Sequence, residues 1–177
     1  MPQSTVDKLV QAYHRMIERV RHTAGEAESR ALPTIRHSIE KARDTAVELE
    51  ELTHDEAEKV AYYLKRDVQD AGKHLAESRH ELADWLRFDI SLIEDQLLDV
   101  FSRVADRTKL EWLELQDELD KDPPYHSGEV TGPGSLYCTA CNEAVHFHHV
   151  ARIPECPACG NTTFRRWPLD EPQDEAH

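Results

Sequence analysis

The sequence contains no long apolar run and little glycine. No stretch approaches the roughly 20 consecutive apolar residues that a membrane-spanning helix needs, and residues 1–16 lack the basic segment and apolar core of an export signal. Glycine accounts for only 6 of 177 residues, and 32% of the residues are charged. This composition is typical of helical proteins leaning toward coiled coils. We therefore expect a mainly helical, cytoplasmic protein.

Positive charge is also scarce, since 21 Lys and Arg stand against 35 Asp and Glu and give a formal net charge of −14. Residues 1–122 hold 18 basic and 28 acidic residues, residues 123–169 hold three of each, and residues 170–177 hold four acidic residues only. An acidic body is repelled by phosphate backbones. Only the neutral segment therefore remains a candidate for binding nucleic acid.

Apolar residues recur every three or four positions over most of the first 105 residues, which is the spacing of amphipathic helices. One helix is predicted from Ser4 to about Ala24. A second, of about five turns, is predicted from Pro33 onward. Its apolar positions follow the narrow seam of a coiled coil: Ile35, Ile39, Ala42, Ala46 and Leu49.

A third helix is predicted to begin at Thr53, because Thr53 and Glu56 have the spacing of a capping box. The apolar stripe that follows continues to Val104 without a proline, and only Gly72 interrupts it. A single helix over residues 54–105 would be a rod of roughly 75 Å. Residues 108–120 either continue it or restart at a second capping box formed by Thr108 and Glu111. The predicted fold is thus an elongated antiparallel helical bundle or coiled coil.

Two prolines at 123 and 124 end the helical part, because proline lacks the amide that a helix uses and clashes with the preceding turn. Beyond them the sequence turns to short β-prone runs: Ser135–Tyr137, Ala144–Ile153 and Thr162–Trp167. The predicted organisation is a helical domain over 1–122, a Pro/Gly linker over 123–136, a small β module over 137–169 and a disordered acidic tail over 170–177. The sequence leaves open whether the module packs on the helices or swings on the linker.

All four cysteines lie in this module, in two Cys-x-x-Cys pairs: Cys138, Cys141, Cys156 and Cys159. The C-x2-C-x14-C-x2-C spacing is close to that of zinc ribbons, in which two tight turns aim four thiolates at one metal. Gly160 can take the left-handed conformation that such a turn often needs. Four thiolates fill a tetrahedral coordination sphere, so we predict one structural Zn2+ and no open position for a substrate. Iron suits the same ligands, and a redox dithiol would need only one pair.

Histidine, arginine and aromatic side chains of the module are further candidates for contact sites. His146, His148 and His149 are interpreted as solvated strand residues rather than ligands of a second metal. Arg165, Arg166 and Trp167, with nearby aromatics, suggest a face that stacks on bases. In the alternative interpretation the aromatics fill the small core and the arginines are solvated edge charges. No catalytic constellation is recognisable, which favours a protein that is not an enzyme.

The run Tyr125-His126-Ser127-Gly128-Glu129-Val130, the glycines at 132 and 134, and the two cysteine pairs resemble a family of small bacterial zinc ribbon-containing proteins. The resemblance extends to Thr108-Lys109-Leu110-Glu111-Trp112 and the helical body, and so covers nearly the whole chain. It implies a cytoplasmic protein whose C-terminal ribbon is held by the same four cysteines, and it implies no activity. Relative to that family, the acidic tail is an addition.

Three functions follow as hypotheses. The first is a non-enzymatic adaptor that docks on a larger machine, such as the transcription or translation apparatus, through its helical arm and ribbon. The second is binding of RNA or single-stranded DNA through the ribbon. The third is a self-associating structural protein, since narrow apolar seams often continue between chains.

Overall fold

The chain folds into a mainly helical body with a small antiparallel β module at its C-terminal end. The structure is a computed structural model that describes residues 5–25, 34–77, 82–87, 90–114 and 123–168. The helices are α1 (Thr5–Gly25), α2 (Ile35–Glu48), α3 (His54–Glu77), α4 (Leu82–Leu86) and α5 (Asp95–Glu114), with a 3-10 turn at Ile90–Leu92. The strands are β1 (Tyr125–His126), β2 (Val130–Thr131), β3 (Gly134–Cys138), β4 (Ala144–Phe147), β5 (Ala151–Arg152) and β6 (Thr163–Arg165).

Capping contacts confirm the predicted start of α3 and define the start of α2. The Thr53 amide donates to Glu56 Oε2 at 2.9 Å, and the Glu56 amide donates to Thr53 Oγ1 at 3.3 Å, which completes the capping box of α3. Thr34 caps α2, where its side chain accepts from the His37 amide. Helix α2 is shorter than the predicted five turns, and Leu49, predicted in its apolar seam, is 60% exposed because it lies at the C-cap.

The single rod predicted over residues 54–105 is wrong. Helix α3 ends at Glu77, α4 and the 3-10 turn follow, and α5 packs against α3. A Cβ placed on Gly72 would lie 2.6 Å from Thr108 Cγ2, so the missing side chain lets the two helices approach closely. Folding the second half of the stripe onto the first buries both halves, which an isolated rod leaves in water.

Helix α5 runs through Thr108 without restarting there. The Thr108 hydroxyl donates to the Val104 carbonyl at 2.9 Å, one turn back within the helix, and Thr108 is buried. The restart alternative is therefore wrong up to Glu114. Residues 115–122 and the acidic tail 170–177 lie outside the described residues. Among those that are described, no helix is long and apolar enough to cross a membrane.

The β module forms two small sheets. Its strands pair in the order β1-β6-β3-β4 in one antiparallel sheet, and β2 pairs with β5 in another. The three β-prone runs are confirmed as the sites of β3, β4, β5 and β6. The predicted linker 123–136 instead contains β1, β2 and the first residues of β3. Two-residue strands are too short to show an alternating pattern, so β1 and β2 could not be predicted from periodicity.

The β module packs directly on the helices. Val130 and Val150 belong to the same buried cluster as the apolar faces of the helices. A Cβ on Gly132 would lie 2.8 Å from Tyr13 Oη and 3.4 Å from Phe101 Cε2, so the chain passes between α1 and α5 at this point. The module therefore does not swing freely, since Val130 lies in the helical core and Gly132 lies against α1 and α5.

Candidate metal centre and its attachment to the helices

The four cysteine thiols meet at one end of the β module. Their sulfur atoms all lie within 4.8 Å of one another. The Cys138 and Cys159 sulfurs are 3.6 Å apart, as are those of Cys141 and Cys156. A tetrahedral zinc site with Zn–S bonds of about 2.3 Å has sulfur–sulfur edges of about 3.8 Å. The donor set and its spacing therefore fit one zinc ion.

Each cysteine pair sits on a turn of the same design. The Cys138 amide donates to the Glu143 carbonyl and the Asn142 amide donates to the Cys138 carbonyl, both at 2.9 Å. The second turn has the same two bonds, since the Cys156 amide donates to the Asn161 carbonyl and the Gly160 amide donates to the Cys156 carbonyl. The residue after each second cysteine is left-handed, with φ of 62° at Asn142 and 74° at Gly160. The prediction for Gly160 is confirmed, and Asn142 is its counterpart, since asparagine tolerates this region better than most residues.

Hydrogen bonds around the sulfurs favour thiolates. The Ala140 amide donates to Cys138 Sγ at 3.4 Å and Asn161 Nδ2 donates to it at 3.5 Å. Burial raises the pKa of the Cys138 thiol, but backbone amides at positions 141 and 140 and the Asn161 side chain outweigh it and lower that pKa to about 6. An amide of Glu143 lowers the pKa of Cys141, but the neighbouring thiols and burial raise it to about 12. Sulfurs this close can all ionise only if a cation shares their charge.

The zinc in this site is structural. Four thiolates leave no coordination position for water or substrate. Cys138 and Cys156 are buried in the ribbon, whereas Cys141 and Cys159 are exposed at its end. The metal therefore links the end of β3 to the loop that precedes β6. Its binding stabilises the fold and does not serve a reaction.

The histidines of the ribbon form no second metal site among the residues described. The four-cysteine group is the only described cluster of metal-ligating side chains. His146 and His149 are exposed, and Nδ1 of His146 lies 2.7 Å from Ser135 Oγ. His148 is half-buried.

The structure separates the three residues predicted as a contact face. Arg166 is 3% exposed and binds Asp70 Oδ2 through Nε at 2.9 Å, so the prediction that it meets a ligand or solvent is wrong. Arg165 lies on the opposite side of β6, directly across from Tyr137 of β3, and both are half-buried. Trp167 packs on the helical core with its ring 4.9 Å from that of His74.

Arg166 belongs to a buried polar group between α3 and the ribbon that sequence reasoning missed. We call it the interface cluster: Arg66, Asp67, Asp70, Tyr125 and Arg166. Tyr125 Oη donates to Asp70 Oδ2 at 3.1 Å and accepts from Arg166 Nη2 at 2.9 Å. The Arg66 guanidinium lies 3.8 Å from the centre of the Tyr125 ring and pairs with Glu129 of the ribbon. The sequence contains one indication that Asp67 is buried: it falls three residues after Leu64 and four before Ala71, on the apolar face of the helix.

Asp67 is fully buried and connects the cluster to α1 and to the end of β2. Its Oδ2 atom accepts from Tyr13 Oη of α1 at 2.8 Å, from the Gly132 amide at 2.7 Å and from Thr131 Oγ1 at 3.2 Å. Its Oδ1 atom lies 3.6 Å from both Arg66 Nε and Arg166 Nη2. Burial and the Asp67 charge raise the pKa of Tyr13 well above its ordinary value, which keeps the phenol protonated as a donor. The ribbon is thus attached to α3 by charged groups of both signs.

Comparison with known proteins agrees with this site. The model of a family described as a zinc-ribbon containing domain matches residues 22–168. The chain is 32% identical over 173 residues to the uncharacterized protein YbeL of Escherichia coli strain K12, which covers 93% of this chain and 99% of YbeL. The YbeL proteins of E. coli O157:H7 and O6:H1 match equally well. No solved structure matches the chain. Because the model matches most of the chain and both cysteine pairs lie inside the matched range, the chain belongs to this zinc-ribbon containing family.

Proposed function

We propose that this protein is a zinc-binding, non-enzymatic adaptor that docks on a larger cytoplasmic assembly, such as the transcription or translation machinery. The observation that carries the proposal is the orientation of the ribbon. Its one side is attached to α3 through the interface cluster, while the metal end points away with both turns exposed. We call this end the knuckle tip: Thr139, Ala140, Cys141, Pro157, Ala158, Cys159 and Gly160.

The chemistry of the knuckle tip suits contact with a protein surface. Apart from the two cysteines, none of its residues carries a formal charge, and most have small side chains. The four thiolates and one Zn2+ together keep a net negative charge. The paired turns are stiff, because each is closed by two backbone hydrogen bonds and by the metal. A rigid surface loses little entropy on binding. The closed thiolate set, which holds no open coordination position, supports a role other than catalysis.

The test is an in-cell crosslinking pull-down with a variant that alters only the tip. The double variant Ala140→Arg/Ala158→Arg places two charges on exposed tip residues and changes no zinc ligand. The charge-matched control Gln69→Arg/Gln96→Arg places two arginines on exposed positions of α3 and α5. Zinc content is measured for all three proteins.

We expect the wild type and the control to bring down the same defined complex, and the tip variant to lose it while it keeps one zinc per chain. If the tip variant retains the complex, the tip is not the docking surface. If no protein brings down a complex and the sedimentation coefficient rises with concentration, the self-associating alternative is favoured instead.

A second candidate function is binding of single-stranded nucleic acid, and one observation favours it. Tyr137 and Arg165 lie opposite each other on neighbouring strands, and the Arg87 guanidinium lies 5.8 Å from the Tyr137 ring and 5.2 Å from the Trp167 ring. Half-exposed aromatic rings beside guanidinium groups are a stacking surface for bases. The net charge of −14 opposes binding, which places this candidate second.

Fluorescence anisotropy of a labelled 20-nucleotide oligo(U) with the zinc-loaded full chain tests this candidate. Binding that weakens with added salt and that Arg165→Ala reduces would support it. The control is Arg103→Ala, which removes an exposed arginine paired with Asp99 on α5. Equal affinities of the two variants would show that the proposed face does not bind the oligonucleotide.

A further inference from the structure

The helical body and the ribbon differ greatly in how much core each possesses. Among the described residues, the larger buried apolar cluster has 28 members, of which only Val130 and Val150 come from the ribbon. The ribbon's own cluster has seven members, and two of these are the zinc ligands Cys138 and Cys156. A core this small needs additional stabilisation, such as a structural metal, to fold. Most of the helical core thus comes from the helices themselves, whereas the zinc ligands form part of the ribbon's small core.

A short path of packed residues connects the metal to the interface cluster. In the four-stranded sheet, Phe164 of β6 lies opposite Tyr125 on one side and opposite zinc ligand Cys138 on the other. Arg166 follows Phe164 by two residues and extends from the same strand. The position of Tyr125 and Arg166 on α3 therefore depends on a sheet whose other end the zinc holds together.

The interface cluster is a contact that water can replace. It is made of charged and hydroxyl groups, and its geometry is incomplete, since Arg66 Nε and Asp67 Oδ1 have no hydrogen-bond partner and lie 3.6 Å apart. Buried ion pairs gain little net free energy over their hydrated ions. When the ribbon leaves, Arg66, Asp67 and Asp70 become hydrated again, which offsets part of the cost of exposing the apolar contacts of Val130, Val150 and Trp167.

We propose that zinc occupancy controls the attachment of the ribbon to the helices. With zinc bound, Tyr125 and Arg166 are held on Asp67 and Asp70 of α3. When zinc is lost, the ribbon unfolds and departs, α1, α2 and α3 stay folded, and the acidic pair on α3 becomes exposed. This inference goes beyond the adaptor function and does not depend on the identity of a docking partner.

The first test follows hydrogen exchange in the full chain with zinc bound and after zinc removal by a chelator under reducing conditions. We expect the amides of β3 and β6 to lose at least about 100-fold in protection, and those of α1 and α2 to change by less than about tenfold. Two results would overturn the proposal. In one, the helices lose protection together with the ribbon; in the other, β3 and β6 stay protected without zinc.

The second test uses the reciprocity of coupled equilibria. If zinc holds the cluster together, the cluster must strengthen zinc binding by the same factor. Asp70→Asn removes the charge that faces Arg166, and Tyr125→Phe removes only the hydroxyl between Asp70 and Arg166. Neither residue is a zinc ligand. Competition with a chromophoric chelator measures zinc affinity in both variants and in the control Asp99→Asn, which alters an exposed pair on α5.

We expect zinc affinity to fall at least about fivefold in both cluster variants and to be unchanged in the control, since coupling between two sites typically spans about 5- to 150-fold. Tyr125→Phe preserves the shape of the side chain and serves as the decisive variant if Asp70→Asn fails to fold. Zinc affinities of Tyr125→Phe and Asp99→Asn that both equal the wild type would refute the coupling.

Discussion

Asp67→Ala is the substitution that most directly tests the attachment of the ribbon to the helices. Asp67 is 0% exposed and its Oδ2 atom accepts hydrogen bonds from Tyr13, Thr131 and Gly132. Alanine removes all three acceptor contacts and the negative charge that faces Arg66 and Arg166. It does so without adding bulk, so the loss is electrostatic and not steric.

The expected cost is large. An unsatisfied buried donor costs about 1–3 kcal/mol, and removing one partner of a buried ion pair costs about 3–5 kcal/mol. Because the donors share one acceptor atom and water can enter the space, these costs are not additive. We expect a loss of about 4–6 kcal/mol, which is a large part of the about 5–15 kcal/mol that stabilises a typical domain.

The assay is urea unfolding in excess zinc, monitored by the far-ultraviolet circular dichroism of the helices. The matched control is Asp99→Ala on α5, whose carboxylate is 51% exposed and pairs with Arg103 at 2.9 Å. An exposed pair of this kind contributes about 0.2–1 kcal/mol. If Asp67→Ala were no more destabilising than Asp99→Ala, the cluster would not hold the two parts together and our reading of the interface would be wrong.

Three further predictions concern local features. Glu50 occupies the left-handed position after α2 (φ 56°), where the Glu51 amide donates to the Ala46 carbonyl. Because glycine adopts this conformation without steric cost, Glu50→Gly should raise the free energy of unfolding by about 0.5 kcal/mol. An unchanged urea midpoint would contradict this. Gly72→Ala should destabilise the protein by about 1–2 kcal/mol in the same assay, because its Cβ would lie 2.6 Å from Thr108 Cγ2. The higher helix propensity of alanine does not offset this clash. A gain in stability would show that α3 and α5 separate easily. Burial raises the pKa of Tyr13 well above its ordinary value of 10, so the stabilisation from its hydroxyl is present below pH 10 and is lost as the pH rises through the folded-state pKa. Tyr13→Phe should therefore flatten the decline of the unfolding temperature above pH 10. An equally steep decline in the variant would contradict this.

Much of the metal centre could be predicted from the sequence because its determinants are local. Each cysteine pair closes its own turn through backbone bonds within five residues, and Gly160 marks one of the two left-handed positions. The helix starts were predictable for the same reason, since the capping box of α3 involves only residues 53 and 56. Leu49 was placed wrongly because an apolar pattern does not show where a helix ends.

The attachment of the ribbon was not predictable, because its partners are distant in the chain. Arg166 and Asp70 are 96 residues apart, and Asp67 and Gly132 are 65 apart. In the sequence, Arg165 and Arg166 look alike, but strand alternation turns one toward the half-exposed face and the other into the interface cluster. Only the pairing of β6 with β1 and β3 decides which of the two arginines is buried.

The sequence by itself thus determined the helical character, the four zinc ligands and the closed nature of the metal site, since periodicity, capping and Cys-x-x-Cys spacing act over a few residues. The tertiary structure alone decided that the apolar stripe of residues 54–105 divides into helices that pack on one another. It also decided that the supposed linker enters the helical core, and that a buried group of opposite charges attaches the ribbon to α3. The physical reason is that burial and charge pairing depend on which surfaces meet, and local sequence does not record that.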